Sequence, residues 1–223
     1  MASKGKEILE ELKSVFLGKT LDAILPPLLF AIVNGIFGLP YAILTSIILS
    51  LTFGILRILR KQNWIYAFGG LVTITLAASF AYLANNAANY FIPGIISNAF
   101  ILLVTLVSLV LDKPLAAYAS HLTRGWRLDW FWRKDVKPAY REVTWLWTLF
   151  FALRTTIQVT LFLSDNVDRL VWANTLMGLP VTTLVLVSSY VYGIWRLRKL
   201  KGPGIEEYVS GKTPPYKGQT RGF

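Results

Sequence analysis

Six apolar runs occupy most of this chain, at residues 22–38, 39–57, 64–83, 93–111, 144–163 and 179–195. A helix needs about 20 predominantly apolar residues to cross the hydrocarbon core of a bilayer. The pattern therefore predicts an all-α integral membrane bundle of six transmembrane helices over residues 21–201. Between the first two runs the only break is Asn34, Gly35, Gly38, Leu39 and Pro40, which requires a very tight turn. The last apolar stretch, 170–195, is too long for one crossing. Residues 170–177 read as an outer, interfacial helical segment, with the crossing starting near Pro180.

Orientation follows from charge. The 223 residues carry 23 Lys+Arg against 12 Asp+Glu, a net +11, yet 54% of the chain is hydrophobic and only 16% is charged. Soluble domains hold about 25% charged residues, so a soluble basic nucleic-acid binder and a disordered basic tail are both excluded. Twenty-one of the 23 cations lie before the first run, between runs two and three, between runs four and five, or after the last. All these segments share one side of the membrane. Lys/Arg retention sets topology, so both termini should be cytoplasmic. Of the eight tryptophans only Trp172 belongs to the other side. The rest fall near the cytoplasmic interface, where an indole buries its ring and keeps its N–H wet.

The flanks read differently. Residues 1–20 include Glu7, Glu10 and Glu11 and no apolar core of a cleavable signal. Ile8, Leu9, Leu12, Val15 and Phe16 recur at helical spacing, which predicts an N-terminal amphipathic helix lying on the inner leaflet. Residues 202–223, rich in Gly and Pro, read as a flexible cytoplasmic tail. The stretch Asn34 to Pro40 is echoed by Asn174 to Pro180, and Pro93 opens the fourth run. Outer prolines in the first turns of three helices fit three stacked helical hairpins.

Little catalytic chemistry is available. There is no cysteine, and His121 is the one histidine, so metal clusters and Cys- or His-based nucleophilic systems are not expected, and no cofactor is implied. His121 alone could ligate a haem, but it follows Pro114 in what reads as a surface helix. Arg154 is the unusual cation, lying mid-span with no carboxylate in a neighbouring run. A cation at the bilayer centre costs about 3 kcal/mol on insertion scales. With Gln158, Asn34, Asn98 and Asn174 it could line a polar pocket for an anionic solute or lipid. Alternatively the same groups bond helices together. The loop 113–142 sets Trp126, Trp130, Phe131 and Trp132 among Arg127, Arg133 and Lys134. That mixture suits the anionic inner leaflet first and a membrane-protein partner second. Nucleic acid is not an expected partner.

Several stretches, in order, resemble an uncharacterised family of bacterial polytopic membrane proteins known as a domain of unknown function. They are Leu25-Pro26 through Phe30 with Asn34, Arg57 through Gln62, Phe91-Ile-Pro93-Gly94 through Asn98, Ser108 through Lys113-Pro114-Leu115, and Phe150 through Arg154 with Gln158. The resemblance covers roughly residues 25–195 and implies a bacterial inner-membrane, all-helical protein with no known chemistry. A more distant similarity to intracellular septation protein A rests on Lys113-Pro114-Leu115 and the aromatic run that follows. It implies an envelope or division accessory that works through partners. The expected function is a non-enzymatic accessory or scaffold, with the anion-binding or transporting protein built on Arg154 as the alternative.

Overall fold

Large apolar and small residues take opposite sides of the helices, and that division organises the fold. The computed structural model describes residues 25–59, 61, 64–219 and 222–223, and every regular element among them is helical. In order they are α1 (Leu25–Phe37), α2 (Leu39–Leu59), α3 (Trp64–Leu83), a short 3-10 turn (Ala87–Phe91) and α4 (Ile92–Val110). There follow α5 (Leu115–Arg124), α6 (Leu128–Phe131), α7 (Lys137–Leu163), α8 (Val167–Met177), α9 (Leu179–Leu200) and α10 (Ile205–Val209). On α2 the buried residues are Ala42, Ser46 and Ser50, one per turn, while Leu44, Ile48, Leu51 and Ile55 face outward. A small-residue stripe lets backbones approach closely, and an apolar exterior is at ease only in lipid. Ala77, Ala78 and Ala81 form the matching stripe on α3, which packs against α2.

Four segments among the described residues are long and apolar enough to cross a membrane: Leu39–Leu59, Ala87–Val110, Lys137–Leu163 and Val167–Leu200. Six were expected, and two of the expected crossings are not among these segments. In the other two runs the described apolar stretches are Leu25–Phe37 and Gly69–Leu83, the latter part of α3, which has 20 residues in all. At about 1.5 Å per residue the 20 residues of α3 rise about 30 Å, the thickness of a hydrocarbon core. The amphipathic helix expected over residues 1–20 lies outside the described residues.

Both expected breaks occur. Gly38 adopts φ +86° between α1 and α2, a left-handed conformation that favours glycine. Gly178 ends α8 with ψ −125°, far from helical, and α9 begins at once with Pro180 in its first turn. The echoed motifs thus share a helix break but not its geometry.

The chain forms two compact units. The first comprises residues up to 96 together with 157–179. Its core sets Phe30 and Tyr90 ring on ring, centroids 4.1 Å apart, among Phe91, Leu170 and Val171. Asn86 caps the 3-10 turn by accepting from the Ala88 N–H, and its Nδ2 donates to Asp165 across the turn after α7. The second unit comprises residues 97–156 and 180–223 and is built around Trp130, Phe131, Val136 and Tyr140.

Candidate functional site

The loop between α4 and α7 is folded around its own aromatics. α5 stops at Gly125, whose φ of +69° reverses the chain while its N–H reaches the His121 carbonyl. The His121 Nδ1–H donates to the Trp126 carbonyl at 2.5 Å, which fixes the tautomer and gives the histidine a local structural role. Trp130 and Phe131 on α6 are completely buried. Their rings meet edge to face at 5.1 Å, and both meet Tyr140 on α7 in the same way, at 6.1 Å and 4.9 Å. The indole N–H of Trp130 donates to the Pro203 carbonyl at 3.0 Å. This corrects the expectation that Trp130 and Phe131 present a surface to lipid or a partner. Trp126 and Trp132 are half-buried, and Trp132 leans edge-on against Tyr118.

The tail also departs from its composition. Gly202 to Gly204 lie buried, and α10 follows. A side chain at Gly202 would meet the Asp135 carbonyl oxygen at 2.6 Å, so only glycine fits there. Phe223 stacks on Tyr140 at 4.3 Å, with planes 9° apart. Glu207 holds the segment by accepting from the N–H groups of Gly204, Lys217 and Gly218 and from the Lys212 ammonium. The Lys212 hydrogen bond first, and the backbone N–H groups after it, hold the Glu207 carboxyl down to about 2.

Charge lies outside this aromatic core. Lys113, Arg124, Arg127, Lys134 and Arg141 are exposed. Arg127 pairs with Asp129 at 3.1 Å, and Arg133 grips Asp135 through two hydrogen bonds of 2.9 and 2.7 Å. Asp112, bonded to Lys137 and faced by Arg141 at 3.9 Å, has its carboxyl held below the ordinary range, chiefly by the Lys137 bond. Arg196 on α9 takes both oxygens of Glu142 on α7, and the Tyr192 hydroxyl adds a third bond at 2.7 Å. Neither Glu142 nor its partners were singled out from the sequence alone. The signal was Tyr192 and Arg196, four residues apart and so on one helix face.

The intramembrane polar residues are placed as follows. Gln158 is buried and donates to the Asn174 Oδ1 at 2.5 Å, and Asn174 in turn donates to the Leu170 carbonyl at 2.8 Å. These two are brought together, as interhelical glue within the first unit. Asn34, on α1 of the same unit, is half-buried. Arg154 and Asn98 belong to the second unit. Asn98 is buried, and Arg154 is half-buried with a buried Nε that has no hydrogen-bond partner among the described residues. No group of three or more His, Cys, Asp or Glu that could hold a metal occurs among the described residues.

An all-helical chain with four segments able to cross a membrane, apolar on the outside and small on the inside, is a membrane protein. It belongs to the family described as protein of unknown function (DUF3159), whose model matches residues 18–199. No curated protein and no solved structure matches it.

Proposed function

We propose that the protein is a non-enzymatic, multi-pass accessory or scaffold protein of the bacterial inner membrane, with both termini cytoplasmic. Its loop-and-tail module rests on the anionic headgroups of the inner leaflet. One observation carries this reading: the module turns its aromatics inward and its cations outward. Residues 112–142 and 196–219 hold thirteen cations against six acids. Each Lys or Arg near an anionic surface contributes about 1 kcal/mol of attraction. The same basic exterior is the place for a membrane-protein partner. An envelope or division role is the form this reading takes if the resemblance of Lys113-Pro114-Leu115 and the aromatic run after it to intracellular septation protein A holds.

Six crossings, with α1 and α3 also passing through the bilayer, keep Arg57 and Lys61 on the face that carries the other cations. Four crossings would put them opposite. The absence of native cysteine makes the test clean. Single cysteines at Asn85 and Ser164 should react with an impermeant maleimide on spheroplasts, and those at Lys61, Lys113 and Ser210 should react only after lysis. Labelling at Lys61 from outside would refute six crossings, and labelling at Lys113 would refute the orientation. For the docking role, the full chain in vesicles should restrain spin-labelled phosphatidylglycerol in preference to phosphatidylcholine. The double change Arg127→Glu and Lys134→Glu should remove that preference, and an unchanged preference rules out docking through the loop.

A second reading rests on the buried Nε of Arg154, which has no hydrogen-bond partner among the described residues: a guanidinium held in the bilayer for an anionic solute or lipid. Arg154→Leu would then abolish anion binding with the fold intact. A change in stability alone would leave Arg154 as glue between helices.

A further inference from the structure

The second unit contains a cavity of about 650 Å³ bounded by α4, α5, α7 and α9. That volume lies within the range of roughly 300–1,000 Å³ typical of small-molecule sites. Its wall is apolar in a specific way. Val143, Trp147, Phe151 and Leu186 contribute carbon surface. Three of the hydroxyls that share the wall are already spent. Thr105 donates to the Leu102 carbonyl, Thr144 to that of Tyr140 and Ser189 to that of Leu186, at 2.7, 2.7 and 2.8 Å. A hydroxyl that bonds back to its own helix offers no donor to a ligand. Such a wall favours a hydrocarbon chain.

The polar groups gather instead beside one short piece of backbone. Arg124 Nε donates to the Phe223 carbonyl at 3.1 Å, and the Tyr190 hydroxyl accepts from the Gly222 N–H at 3.1 Å. The guanidinium also lies over the Trp126 ring, 5.1 Å from its centroid. Both side chains line the cavity and both are exposed. Arg124 is the one residue with a charged side chain among the described lining residues. An arginine fixed through Nε still has its terminal N–H groups to present to an anion, and fixing it in advance lowers the entropy cost of binding. Tyr190, used there as an acceptor, keeps its own proton to donate.

We infer that this cavity is a binding site for a single-chain anionic amphiphile, with the chain along the Trp147 wall and the headgroup at Arg124 and Tyr190. This site is separate from both Arg154 and the headgroup-facing exterior of the loop. Bulk lipid could wet an apolar groove, but it would not need the cation.

Trp147 in the wall provides the readout. The full chain in nonionic micelles is titrated with dibromostearate, whose bromines quench indoles on contact, and with its uncharged methyl ester. The acid should quench a component of the emission that Trp147→Phe removes, saturably and at least tenfold more tightly than the ester. Arg124→Gln should weaken that binding roughly tenfold or more, as loss of a charge-assisted hydrogen bond predicts. Ala119→Phe, which fills the cavity from an exposed wall position, should abolish the component while the far-ultraviolet spectrum stays unchanged. Equal quenching by acid and ester would overturn the inference. So would insensitivity to Arg124→Gln, or a full quenching amplitude in either Trp147→Phe or Ala119→Phe.

Discussion

Replacing Trp130 by Phe tests whether the tail is held by the loop core. The substitution keeps a buried ring among Trp126, Phe131 and Tyr140 but removes the indole N–H that reaches the Pro203 carbonyl at 3.0 Å. The lost hydrogen bond contributes about 0.5–1.5 kcal/mol, and leaving a buried carbonyl unsatisfied raises the cost to about 1–3 kcal/mol. The smaller ring adds a cavity penalty of similar sign. If Pro203 is the point at which the tail is pinned, this energy appears as easier local opening of the segment that follows. Amides of Ile205–Val209 should then exchange about 5- to 150-fold faster in the variant, followed by hydrogen-exchange mass spectrometry on the intact protein. Exchange in α2 and α3 should not change, because those helices belong to the other unit. Trp130→Ala should go further, costing about 3–5 kcal/mol and loosening α6 as well. Wild-type protection of α10 in Trp130→Phe would refute the argument, since the tail would then be held without this bond.

Two further outcomes follow from the geometry. The folded Glu207 carboxyl lies at about 2, below its ordinary value near 4.5, so its stabilising contribution is complete above about 4.5 and is lost as pH falls towards 2. Exchange in residues 204–218, corrected for the intrinsic pH dependence, should accelerate over that window in the wild type. Glu207→Gln should already be loose at pH 6 and vary little, and a wild type that stays flat to pH 2 would contradict the assignment. In the first unit, a double-mutant cycle with Gln158→Leu and Asn174→Leu should give a coupling of about 0.6–1.7 kcal/mol in a reversible membrane-unfolding assay. A coupling near zero would mean that the 2.5 Å bond does not hold α7 to α8.

Much of this protein is legible from local pattern. Hydropathy runs mark the helices because the backbone in lipid must satisfy its own hydrogen bonds, and a helix does so within a short stretch of chain. Glycine and proline at Gly38–Pro40 and Gly178–Pro180 mark the breaks because their effects act on the adjacent residues. The runs 22–38 and 64–83 predict two crossings beyond the four segments, and they fall on Leu25–Phe37 and on α3. Of the five intramembrane polar residues the pairing of Gln158 with Asn174 emerged, as glue.

The residues of the loop show where local pattern stops. Trp130 and Phe131 stand among Arg127, Arg133 and Lys134, a composition that reads as an interfacial surface, yet both rings are buried. Their burial depends on Pro203, 73 residues away, and on Tyr140, which is itself covered by Phe223. The Arg124–Phe223 bond joins residues 99 apart. The sequence by itself determined that the chain is helical, suited to a membrane, and basic in alternate connections, because each property belongs to a contiguous stretch. Only the tertiary structure decided which aromatics turn inward, that the Gly/Pro-rich tail closes over them, and that a cavity with one cation lies beside that closure. Burial is a property of what covers a residue, and here the cover comes from the far end of the chain.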